Sequence, residues 1–188
     1  LTFEEDTALF AKLSEGKIRI DADREAEFYE WGWEYLPSQG FKQYEVSNYA
    51  RPGKECRHNL NTWRMNNWIG YGPSASSQYG GKRWKNFANI DQWAKTLLTG
   101  EEKGYEEFVE LSPVELARDA ILFGLRMNDG VSVELVASQF QVDHFLFENV
   151  VQFLELLVKE RLAEKRGQYY SLNQDGRIRC DAIAAEIP

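Results

Sequence analysis

Cysteine and histidine are scarce in this chain: Cys56, Cys180, His58 and His144 are all that its 188 residues contain. Two cysteines are too few for the disulfide scaffold of a small secreted domain. Cys56-Arg57-His58 offers close ligands, but no second pair stands at zinc-site spacing. No stretch approaches about 18 uninterrupted apolar residues, so none reads as a membrane span. A collagen-like glycine period is absent, and so is the nucleophile elbow of a hydrolase. The chain opens Leu1-Thr2-Phe3, with no initiating methionine, basic n-region or apolar signal core. That opening is expected of a piece of a longer protein, and the composition of a soluble protein of the reducing cytoplasm.

What is present argues for a folded core. Hydrophobic residues make up 43% of the chain and aromatics 14%, with 6 Trp, 9 Tyr and 11 Phe, which excludes a disordered chain. The length suits one or two domains.

The net charge of −8 is unevenly placed. Residues 1–105 carry 14 Lys and Arg against 15 Asp and Glu; residues 106–188 carry 8 against 15. Residues 51–85 hold seven basic side chains (Arg51, Lys54, Arg57, Arg64, Lys82, Arg83, Lys85) and one acidic, Glu55. Trp63, Trp68, Tyr71, Tyr79 and Trp84 share that window. Basic groups beside flat aromatic faces suit a planar anion: a porphyrin with propionates, a nucleotide-like cofactor or a single-stranded nucleic acid. A solvated basic rim around buried rings produces the same pattern.

Spacing and capping signals place the elements. A helix is expected from Asp21, its N-cap, to Pro37 and Gly40. Residues 43–49 alternate as a strand, and a second strand is expected around 68–75; strands flanking a helix suggest a parallel βα layout. Asn89 and Gln92 form a capping-box arrangement for a helix that Gly100 stops. The acidic stretch 101–110 reads as a domain boundary. Beyond it, Ser112-Pro113-Val114-Glu115 is a capping box with proline at N1, Ser132 caps a shorter helix, and a third runs over about 143–159. Gly167 then centres a β-hairpin, and a helix over about 174–186 closes the chain. Three helices, a hairpin and a closing helix make a winged-helix-like module. Its third helix offers Glu148, Glu155 and Glu160 against Lys159, a surface that repels phosphates, so DNA is not expected as a partner.

Two places can carry chemistry. His58 falls in a loop between expected strands, inside the basic window and near Asn59 and Trp63. An imidazole is an axial ligand for haem iron, an aromatic stacks on the macrocycle, and Arg or Lys pairs with propionates. A loop histidine bonded to a carbonyl fits the same residues. The run Gly70-Tyr71-Gly72-Pro73-Ser74-Ala75-Ser76-Ser77 allows close backbone approach to a ligand at a strand end; small residues also occur where helices pack on sheets. His144, among apolar residues, reads as structural.

Taken in order, Tyr44-Glu45-Val46-Ser47-Asn48-Tyr49-Ala50, Pro52-Gly53, Arg57-His58-Asn59, Trp63, Gly72-Pro73-Ser74-Ala75, Arg83 and Asn86 resemble the oxygen-independent coproporphyrinogen III oxidase-like radical-SAM family, in its HemW haem-chaperone form. Residues 112–187 resemble that family's carboxy-terminal domain. The resemblance implies the carboxy-terminal part of a partial (β/α) barrel over 1–105 and a winged-helix-like domain over 106–188, an α/β plus α+β fold. The family's HNxxYW haem signature reads His58-Asn59-Leu60-Asn61-Thr62-Trp63 here, with Thr62 in place of the tyrosine. It implies haem binding by His58 (as iron ligand), Asn59, Trp63 and Arg57, and S-adenosylmethionine contacts from Thr2, Gly72, Ser74, Ala75 and Ser76, the last where members often carry histidine.

The resemblance further implies a haem-acceptor protein as partner, with oxidative decarboxylation of coproporphyrinogen III as the alternative activity. An acidic protein-docking module is a third reading. The family's 4Fe–4S motif, CxxxCxxC, is not matched by Cys56 and Cys180, so this chain alone is expected to be inactive in radical chemistry. Strands cut from a barrel are expected to leave edges that pair with a second copy.

Overall fold

The computed structural model describes Glu5, residues 7–100 and residues 104–188; Thr2 lies outside them. Contacts gather the chain into two compact units, Leu1–Lys42 and Gln43–Pro188.

In the first unit, α1 (Ala8–Ser14) starts at Thr7, whose hydroxyl accepts from the Phe10 N–H at 3.2 Å; the sequence reading has no helix there. α2 (Ala22–Ser38) begins where expected. The Asp21 carboxylate accepts from the Arg24 N–H at 3.0 Å, and Asp23 and Glu25 lie in the first turn, where the helix dipole favours negative charge. Pro37 sits inside the last turn rather than closing it. Trp31 and Tyr35, one turn apart, stack with centroids 4.5 Å apart.

At the start of the second unit, β1 (Lys42–Glu45, all but its first residue in this unit) pairs with β2 (Asn48–Ala50), where one strand over 43–49 was expected. The reversal has a cause in Glu45. Its carboxylate accepts from the Ser47 N–H at 2.7 Å and the Asn48 side chain at 2.6 Å, which draws the chain into a turn. α3 (Arg57–Trp63) follows. No strand forms over 68–75: Trp68 makes an isolated bridge with Gln78, and the strand β3 is Ser76–Tyr79. Gly80 and Gly81, at φ 58° and 77°, turn it into β4 (Lys82–Asn86). α4 (Ile90–Thr99) is capped by Asn89, which accepts from Gln92 N–H at 3.0 Å, and ends on the left-handed Gly100. β5 (Tyr105–Glu110) then joins β4, so a strand occupies the acidic stretch read as a boundary.

The sheet order is β3-β4-β5, and both pairings are antiparallel, which corrects the parallel βα layout. A two-residue turn with positive φ at both positions joins only antiparallel neighbours. Across β4 and β5, Lys82 faces Glu110, Lys85 faces Glu107 and Trp84 faces Phe108, pairs that favour this register. Among the described residues the sheets do not close into a barrel; the fold is mixed α and β.

α5 (Pro113–Arg126) opens on the full capping box: the Ser112 hydroxyl accepts from the Glu115 N–H, and the Glu115 carboxylate accepts from the Ser112 N–H at 2.7 Å. α6 (Val133–Phe140) is capped by Ser132. A 3₁₀ turn (His144–Phe147) precedes α7 (Glu148–Lys159), which the sequence reading had joined as one helix. His144 is exposed rather than packed. β6 (Ala163–Arg166) and β7 (Tyr169–Leu172) form the expected hairpin around Gly167. The closing helix is two pieces, α8 (Gln174–Ile178) and α9 (Cys180–Glu186), broken at Arg179.

Ile121, Phe147, Leu154 and Leu172 form the centre of the core, each at most 2% exposed. Burial of each such side chain contributes about 1.5–3 kcal/mol. Val131 and Tyr170 exchange backbone hydrogen bonds at 2.8 Å each way, which adds a rung to the hairpin's edge. No described helix is long and apolar enough to cross a membrane.

Two features here are testable. A Cβ at Gly176 would stand 2.0 Å from the Leu162 carbonyl oxygen. Gly176→Ala is therefore expected to cost about 1–3 kcal/mol, read as a lower urea midpoint; an unchanged midpoint would show that α8 does not rest on Leu162. The second is a clasp between α7 and the hairpin. Lys165 Nζ lies 2.5 Å and the donating Tyr170 hydroxyl 2.6 Å from one Glu155 oxygen. The Lys165 contact first, then Tyr170, holds the Glu155 carboxyl below its ordinary range. Its stabilisation is full above the ordinary carboxylate pKa and is lost as pH falls through the lowered one. Wild type and Glu155→Gln should differ in stability at neutral pH and converge in acid; a gap independent of pH refutes the clasp.

Candidate functional site

α3 carries the histidine read as a candidate ligand, and it is a helix where a loop was expected. Its N-cap, Cys56, makes no side-chain capping bond, so the start signal that marked other helices is absent here. The Cys56 thiol donates instead to Asn59 Oδ1 at 3.4 Å, and the Thr62 hydroxyl donates to the His58 carbonyl at 3.0 Å. Arg57 and His58 are exposed; Asn59 and Trp63 are half-buried. Five residues separate His58 from Trp63, which at about 100° per residue sets them on different faces. The helix therefore brings Thr62, not Trp63, onto the side of His58.

Trp63 turns towards α5. Its ring centroid is 5.4 Å from that of Phe123, and the Arg126 guanidinium carbon lies 4.9 Å from its ring centre. Arg126 in turn reaches Glu45 Oε2 at 3.5 Å, the Ser47 hydroxyl at 3.4 Å and Asp181 at 3.8 Å. Glu45 is fully buried. This chain of contacts joins four separate stretches of sequence, and no local pattern announced it.

The basic window is largely neutralised by acids from beyond residue 105. Arg83 meets Asp119 at 2.9 Å, Lys82 meets Glu110 at 3.5 Å, Lys85 meets Glu107 at 3.5 Å and Arg64 meets Asp129 at 3.7 Å. Among the described residues, Lys54 and Arg57 make no ion pair. Positive charge thus remains beside His58, at the start of α3, rather than across the whole window.

The small-residue run leads into β3, whose first two residues are its Ser76 and Ser77, instead of ending a strand. Gly70 must stay small, since a Cβ there would meet the Ser76 carbonyl at 2.3 Å. Asn86 Nδ2 donates to the Gly72 carbonyl at 2.9 Å, and the Ser74 N–H to the Phe87 carbonyl at 3.1 Å. Ser74 and Ser76 are exposed; Gly72 and Ala75 are half-buried. Gly70 and Gly72 line a cleft of about 350 Å³ with Tyr71, Trp84, Trp93 and Tyr105. The rings come from elements distant in sequence, so the cleft was not legible beforehand. Among the described residues, no three His, Cys, Asp or Glu side chains gather as a metal site, and burial pushes the Cys180 thiol up, away from the thiolate form.

Residues 111–179 match the HemN C-terminal domain. Over all 188 residues the chain is 30% identical to the haem chaperone HemW of Mycobacterium tuberculosis, covering 45% of that protein. Over 169 residues (88% of this chain, 43% of the relative) it is 30% identical to HemW of Lactococcus lactis. It is 35% identical over 142 residues (70% of this chain, 32% of the relative) to the mouse mitochondrial radical S-adenosyl methionine domain-containing protein 1. The chain thus spans less than half the length of these relatives. Among solved structures, coproporphyrinogen III oxidase (HemN) of Escherichia coli, a radical-SAM enzyme, superposes with a TM-score of 0.68 at 15% identity, covering 88% of this chain and 41% of that one, a likeness of fold. In sequence and in fold, this chain is related to the carboxy-terminal part of the oxygen-independent coproporphyrinogen III oxidase-like radical-SAM family, with HemW haem chaperones among its relatives.

Proposed function

We propose that this chain is the carboxy-terminal part of a HemW-like protein that binds haem and passes it to an acceptor protein in the cytoplasm. The observation that carries the reading is local: His58 is exposed on α3 next to Arg57, and neither Arg57 nor Lys54, four residues before His58, makes an ion pair among the described residues. An exposed imidazole ligates iron, and the adjacent cations meet propionates. Asn59 follows His58 on the ligand helix. Trp63 serves it from behind, since its ring is already engaged by Phe123 and Arg126. The names of the relatives, at 30% identity over the whole chain, support haem handling over oxidative decarboxylation of coproporphyrinogen III; the HemN likeness speaks for fold.

In this reading residues 1–105 are barrel-derived, and residues 106–188 form a winged-helix-like domain. Gly72, Ser74, Ala75 and Ser76 form the segment that would lie along S-adenosylmethionine. A CxxxCxxC set needs three cysteines at close spacing, and this chain carries two, Cys56 and Cys180, so a 4Fe–4S cluster does not fit the residues present, and nothing in the haem reading passes through it.

A titration of the chain with hemin, followed at the Soret band, tests the proposal beside a His58→Ala variant. Binding should saturate in the wild type. The variant should shift the band and lose about tenfold or more in affinity, as losing even a supporting partner of a ligand does. Identical curves would remove His58 as the ligand.

A further inference from the structure

We infer that Arg126, at the carboxy end of α5, is a positioning residue for the iron-ligand helix, acting on His58 through Trp63. The inference rests on the haem reading and adds to it the part of the fold that holds the ligand in place.

α3 cannot set its own orientation. It is seven residues long, its N-cap makes no side-chain bond, and it contains no buried residue. A helix of that length has no stability of its own, so its rotation is decided by what it packs on. Trp63 packs it on α5, with ring contacts to Phe123 at 5.4 Å and to the Arg126 guanidinium carbon at 4.9 Å. His58 lies about 140° around the axis from Trp63. Turning Trp63 inward turns His58 outward, with Arg57 beside it. A loose Trp63 lets α3 roll, and the imidazole then loses its fixed approach to iron.

Arg126 is itself immobilised from the far side. The Glu45 carboxylate, held in its turn by Ser47 and Asn48, receives the guanidinium at 3.5 Å, and the Ser47 hydroxyl accepts from it at 3.4 Å. The backbone agrees: the Val46 N–H donates to the Arg126 carbonyl at 3.0 Å. The guanidinium is therefore held by a buried acid on one side while it sits over the indole ring on the other. A lysine keeps the charge for Glu45 but has no plane to stack. Arg126→Lys thus separates positioning from folding.

The experiment is a double-mutant cycle in hemin binding on the chain with Arg126→Lys, His58→Ala and both, with melting temperature measured alongside. Arg126→Lys should weaken hemin binding about three- to tenfold, the worth of a partly desolvated cation–π contact, and broaden the Soret band into mixed ligation. The double variant should bind no more weakly than His58→Ala, because a residue acting through His58 has nothing to act on once it is gone. Should Arg126→Lys fail to fold, Trp63→Phe carries the same cycle, keeping the contact with Phe123 and weakening the one with Arg126. Additive losses, or unchanged hemin affinity and spectrum in a folded Arg126→Lys or Trp63→Phe, overturn the inference while leaving His58 as ligand. Equal binding by wild type and His58→Ala removes His58 as the ligand, and the inference with it.

Discussion

A carboxylate with no exposed surface must be met by donors, because burying it unpaired costs several kcal/mol, roughly, or forces it to neutralise. Glu45 is that group here. It receives two donors from its own turn, the Ser47 N–H and the Asn48 amide, and one charge from Arg126. Neighbouring backbone follows the same junction: the Asn128 N–H donates to the Tyr44 carbonyl at 3.1 Å, and the Asn128 amide to the Gln43 carbonyl at 2.6 Å. Residues 43–50 cannot shift along α5 without stranding these groups. The position of α3, and so of His58, hangs on this tie.

Charge is arranged on the same plan. The acidic surplus of residues 106–188 reads in isolation as a solvated or partner-facing surface. In the fold, Asp119, Glu107, Glu110 and Asp129 turn to the basic window and pair with it. Such pairs are individually weak where exposed. Lys54 and Arg57, close to His58 in the chain, make no such pair among the described residues.

Parts of the architecture were legible because their causes are local. Asp21, Asn89, Ser112 and Ser132 each accept from the amide three residues on, and each was readable as a cap from residue type and spacing. Gly167 between two short runs gave the hairpin. What was missed lacked such a signal. α1 is a short helix at the edge of pattern recognition, β5 hides in an acidic run without clean alternation, and α3 has no cap. The antiparallel sheet was missed because pairing direction is a property of the Gly80-Gly81 turn and of partners some 20 residues away, not of any strand alone.

The sequence by itself determined the starts of α2, α4, α5 and α6, and its ordered motifs marked the family. It also named His58, because a histidine among cations and rings stands out in any listing of residues. Only the tertiary structure decided that His58 lies on a helix, that Trp63 turns away from it, and that Arg126 and Glu45 stand behind both. Capping and periodicity act over three or four residues and are written in the chain. The Glu45–Arg126–Trp63 contacts join residues up to 81 apart, and such contacts exist only once the chain has folded to bring them together.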